Sequence, residues 1–136
     1  MSDRSLEYDA LCDDLEAHWE DQDGAHFRAA VRRLEARAEG GSLAAAEYLA
    51  EILALDGPLH DAATAYKWYY IALSEQGYSV GFDDQNASPP HYCGPVGDFR
   101  NEAMVSDLVV ELGFARVAEL DREASELRAA RSWSEA

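Results

Sequence analysis

Basic residues, cysteine, proline and long apolar runs are all scarce in this 136-residue chain. Lysine and arginine together number 11 against 27 aspartates and glutamates, a formal net charge of −16. Such a surface repels a polyanion over most of its area, so direct binding to a nucleic-acid backbone is disfavoured. Two cysteines, Cys12 and Cys93, are too few for a disulfide framework. Both are expected to be reduced, with a single long-range bridge as the less favoured alternative. No apolar run approaches the roughly 18–20 residues that span a bilayer. Met1-Ser2-Asp3-Arg4 lacks the basic-then-apolar order of a signal peptide. The expected location is therefore cytoplasmic.

Recognisable catalytic patterns are missing as well. There is no glycine-rich phosphate loop, no G-x-S-x-G and no H-E-x-x-H. His91, Cys93 and Asp98 are close in sequence, but a zinc site needs about four ligands in workable geometry and no second cysteine pair exists. Asp83-Asp84-Gln85-Asn86 lacks the spacing of a calcium loop. The expectation is a chain without metal, cofactor or enzymatic activity.

What is present is a core-forming helical sequence. Hydrophobic residues make up 48% of the chain, too many for a disordered acidic tail. A 3.6-residue apolar period runs through most of it. Over residues 4–20 the stripe is Tyr8, Leu11, Cys12, Leu15, His18 and Trp19, with Ser5 as a cap. Over 25–39 it is Phe27, Ala30, Val31, Leu34 and Ala38, ended by Gly40-Gly41. Ser42 opens a third helix carrying Leu43, Ala46, Leu49, Ala50 and Leu53. Asp61 opens a fourth with Ala65, Trp68, Tyr69 and Ala72.

Residues 78–99, rich in glycine and proline, carry no sustained period. Two more helices are predicted, one near 101–112 on Ala103, Met104, Leu108 and Leu112. The other, near 114–131, uses Phe114, Val117, Leu120, Ala124 and Leu127. The expected fold class is all-α, a single domain of about three antiparallel helix pairs with one long inserted loop.

The pairs look related. Glu39-Gly40 and Gln76-Gly77 both end a helix 37 residues apart, and at that offset Val31 matches Trp68 and Leu34 matches Ile71. Gly41-Ser42-Leu43-Ala44-Ala45-Ala46-Glu47-Tyr48-Leu49-Ala50, followed by the run from Asp61 to Gly77, resembles the Sel1-like repeat, a relative of the tetratricopeptide repeat. That second run contains Ala65-Tyr66-Lys67-Trp68-Tyr69-Tyr70-Ile71-Ala72, similar to the family's aromatic-rich second helix. The resemblance is best over 24–77. Residues 100–133 resemble the terminal helical hairpin that closes such arrays. It implies a short right-handed α/α solenoid that binds proteins and does not catalyse.

Charge sharpens that expectation. Residues 1–23 hold nine acids against Arg4 alone, half of the net charge. A field of this sign attracts a basic partner and raises its association rate. The predicted partner surface comprises Asp13, Asp14, Glu20 and Asp21 near the N-terminus, Glu47 and Glu51 one turn apart on the third helix, and Phe82, Asp83, Asp84 and Tyr92 in the long loop. Small size and strong acidity point to a neutraliser: an immunity protein or antitoxin that blocks a basic, nuclease-like toxin. The alternative is a general scaffold or regulatory adaptor. A third expectation, from another class, is an enzyme using His91, Cys93 and Asp98.

Overall fold

The computed structural model describes residues 3–77 and 99–134. These form six helices: α1 (Asp3–Ala17), α2 (Ala25–Glu39), α3 (Leu43–Ala54), α4 (Ala62–Glu75), α5 (Phe99–Leu112) and α6 (Phe114–Ala129). A single 3-10 turn, Trp19–Asp21, follows α1. There is no strand among the described residues, so the all-α expectation holds. The predicted loop segment lies outside them, apart from Phe99, which opens α5.

Local chemistry explains most helix ends. Ser42 caps α3, its side chain accepting the Ala45 N–H at 3.2 Å. Asp61 caps α4 in the same way through the Thr64 N–H at 3.2 Å, and the Thr64 hydroxyl donates to its other oxygen at 2.8 Å. At the end of α2 the Gly41 N–H donates to the Ala38 carbonyl and the Ser42 N–H to the Arg37 carbonyl. This paired pattern requires a left-handed residue, which Gly41 supplies at φ +104°. Gly77 takes the same role after α4 at φ +96°. The structurally equivalent glycines are thus Gly41 and Gly77, 36 residues apart. The 37-residue offset paired Gly77 with Gly40, which has right-handed backbone and only caps the helix. Ser5 is not a cap either, because α1 already begins at Asp3.

Packing proceeds along the chain. Each helix packs on the next, α3 and α4 most extensively, and α4 also packs on α6. The five apolar residues read as the α2 stripe are the five buried on α2. On α4 eight residues are buried, Tyr66, Ile71 and Leu73 among them, because this helix is covered from more than one side. Its tyrosines reach across to the last two helices. The Tyr66 hydroxyl donates to buried Asp121 at 2.5 Å, Tyr69 to the Met104 sulfur at 3.2 Å, and Tyr70 pairs with Ser125 at 2.9 Å. Two expected core positions are exposed: Ala103 on α5 and Phe114 at the start of α6, where Val105, Val109 and Asp121 are buried instead.

The end of the chain folds back. After α6, the Ser134 N–H donates to the Gly41 carbonyl at 2.9 Å, and the Leu43 N–H donates to the Ser134 carbonyl at 2.8 Å. The Trp133 indole sits edge-on to Trp68, ring centroids 6.5 Å apart, and donates its N–H to the Arg128 carbonyl at 2.9 Å. Arg131 reaches the Glu39 carbonyl at the end of α2. Residues 131–134 thereby clamp the last helix onto the α2–α3 turn.

Candidate functional site

The most distinctive concave surface among the described residues lies where two connections meet. Trp19, Glu20, Asp21, Gln22 and Asp23, between α1 and α2, face Asp56, Gly57 and Pro58, between α3 and α4. Together they line a groove of about 390 Å³. Each side is fixed by a short stretch of chain. The edge of the Trp19 ring packs on buried Phe27, centroids 5.7 Å apart, and this holds the indole as the apolar wall. Beside it His18 and His26 stack face to face at 4.9 Å, joining the end of α1 to the start of α2. Asp21 lays its carboxylate over Gly24, the first cap of α2, so close that a side chain at Gly24 would meet it. A carboxylate there is favoured by the exposed N–H groups at a helix start. Gly57, in the α3–α4 connection, lies beside the Gln22 side chain.

Four carboxylates converge on this groove. Asp23 is bound by Arg28, which also donates to the Asp23 carbonyl at 3.2 Å. Among the described residues, no ion pair engages Glu20, Asp21 or Asp56. The arrangement therefore sets carboxylates next to an indole, with His60 near enough for Asp56 to act on it. It does not form a metal centre: among the described residues no group of three or more histidine, cysteine or carboxylate side chains could hold an ion.

A second cluster joins α1 to α3. Tyr8 and Cys12 on α1 lie near Tyr48 on α3, with Glu16 and Glu51 close enough to act on the Tyr48 hydroxyl. Burial pushes both tyrosine hydroxyls up, and it pushes the free Cys12 thiol up as well, helped by Asp9, Glu16 and Asp13. A thiol held protonated in this way is a poor nucleophile. Arg37 lies 5.4 Å above the Tyr8 ring and reaches Glu7 at 3.7 Å.

The predicted surface residues fall in three places. Glu20 and Asp21 are in the groove. Asp14 is paired with Arg33 at 3.2 Å and Asp13 is exposed on the same helix, both away from the groove. Glu47 and Glu51 are half-buried on α3, one turn apart as expected. Phe82, Asp83, Asp84 and Tyr92 lie outside the described residues, as do His91, Cys93 and Asp98. Sequence reading missed Trp19, Asp23 and Asp56 as groove residues. The available signal was connectivity: in successive helix pairs the connections within each pair fall at the same end, so acids in one connection add to acids in the next. Comparisons with protein-family models, with curated proteins and with solved structures return no match. No helix among the described residues is long and apolar enough to cross a membrane.

Proposed function

We propose that this chain is a non-enzymatic protein-binding module that receives a basic partner in the groove between its first and third connections. The carrying observation is the lining itself: Glu20, Asp21 and Asp56 beside the Trp19 indole, with no ion pair to them among the described residues, on a chain of net charge −16. An arginine suits this lining best. Its planar fork pairs with carboxylates two bonds at a time, and its flat face stacks on an indole. The acids along α1 and the Glu47–Glu51 pair would extend the field that steers such a partner.

The scaffold reading is a short Sel1-like α/α solenoid in cytoplasmic use. Three features support it: helices packed in chain order, matched glycine ends after α2 and α4, and α4 aromatics that reach the following helices. The acidity and small size favour an immunity protein or antitoxin acting on a basic, nuclease-like toxin, whose cleft an anionic surface would fill. The decisive experiment starts from the gene beside this one. If it encodes a basic toxin, its expression should kill cells lacking this chain and spare cells that make it. Asp21→Asn with Asp56→Asn should weaken that protection. Binding without protection from killing would leave the adaptor alternative.

A further inference from the structure

Residues 131–134 are held the way a bound peptide is held. The two main-chain bonds, from Ser134 to Gly41 and from Leu43 to Ser134, make a parallel bridge between Ser42 and Ser134 of the kind that adds an extended segment to an exposed backbone edge. The receiving edge is shaped for close approach. A Cβ at Gly41 would stand 2.4 Å from the Ser132 carbonyl oxygen, and φ there is +104°. Two side chains add selectivity. The Trp133 ring stands against Trp68, which is otherwise buried on α4. Arg131 caps the Glu39 carbonyl, at a helix C-terminus where a cation is favoured.

We infer that the edge from Gly41 to Leu43, flanked by Trp68 and the end of α2, is a docking site for an extended partner segment bearing arginine two residues before tryptophan and a small residue after it. The chain's own tail fills this site in cis and competes with the partner. The basic character of such a segment matches the net charge of −16. The site does not rest on the groove reading, because it lies at the other end of α2, 15 residues of helix or about 22 Å away.

The test uses the 136-residue chain, as wild type and as Trp133→Ala, and a fluorescent blocked peptide of sequence Ala-Arg-Ser-Trp-Ser. A tethered tail competes at high effective concentration, so the peptide should bind Trp133→Ala about tenfold or more tighter than wild type. Adding Gly41→Ala to that variant should remove the binding. Exchange of the Leu43 amide should be slow in wild type, fast in Trp133→Ala and slow again with peptide. Should Trp133→Ala fail to fold, Ser134→Pro, which removes the bond from the Ser134 N–H to the Gly41 carbonyl, replaces it in the affinity measurement. Equal affinity for wild type and variant, binding that survives Gly41→Ala, or a Leu43 amide that the peptide leaves unchanged would each overturn the inference.

Discussion

Helix α4 and the connection between α1 and α2 lie in one small fold and do opposite things. Over its 14 residues α4 buries eight, and it meets α3, α5 and α6. The 3-10 turn Trp19–Asp21 buries none. Apolar contact is concentrated in the first region and exposed negative charge in the second. The contrast teaches that folding and binding at the groove are carried by separate residues, so each can be changed without the other. Burial of apolar surface is local to the residues that lose water. Exposed carboxylates contribute little to stability and much to an approaching cation's rate.

The largest expected effect lies in the buried region. Trp68 is 5% exposed, and Trp68→Ala should cost ~3–5 kcal/mol in urea unfolding, through the cavity and the lost contact with Trp133. Molecules that remain folded should bind a basic ligand at the Trp19–Asp56 groove as wild type does. A Trp68→Ala chain that unfolds like wild type would erase the contrast.

The two left-handed glycines sharpen it. Gly41→Ala forces a side chain into left-handed backbone and onto the Ser132 carbonyl, at a cost of roughly 1–3 kcal/mol. Gly77 has similar φ but nothing among the described residues within 4 Å of the added carbon, so Gly77→Ala should cost less. Equal losses in chemical denaturation would mean that the tail clamp adds nothing at Gly41.

A smaller effect depends on pH. The His60 Nδ1 faces the Leu55 carbonyl at 3.1 Å and Nε2 faces the Glu111 carboxylate at 2.8 Å. Both neighbours accept, so the ring is best satisfied when both nitrogens carry protons. The hydrogen bond to Glu111 is the main reason that the His60 pKa is raised. The raised folded value means that the stabilisation is complete below the unfolded histidine pKa, near 6.5, and fades as pH rises through the folded value. Thermal unfolding should therefore show a falling stability above about pH 6.5 that Glu111→Gln flattens.

How much of this was legible in the sequence follows the same division. The α2 stripe was readable to the residue because α2 hides one face, and a 3.6 period reports one buried face well. On α4 the period under-reported burial, missing Tyr66, Ile71 and Leu73, because a helix covered from more than one side has no single stripe. On α6 it placed Phe114 inside and left out Asp121, whose burial depends on a hydroxyl 55 residues away. The tail clamp and the groove were not legible at all. Both join segments far apart in sequence, through backbone groups in one case and through adjacent connections in the other. Individual acids such as Glu20 and Asp21 were visible, but their convergence with Asp56 was not.

The smallest change in stability should come from the groove itself. Asp21→Asn and Asp56→Asn should leave unfolding within about 0.5 kcal/mol of wild type, since both side chains are exposed. That pair of substitutions also gives the most direct test of the central claim. An isotope-labelled chain is titrated with a short arginine-rich peptide, following the backbone amides and the Trp19 indole by NMR at low and moderate salt. The account predicts shifts concentrated at Trp19–Asp23 and at Asp56 and Gly57, weakened by salt and largely lost in the double variant. Shifts spread evenly over the acidic face of α1, or a double variant that responds like wild type, would contradict it.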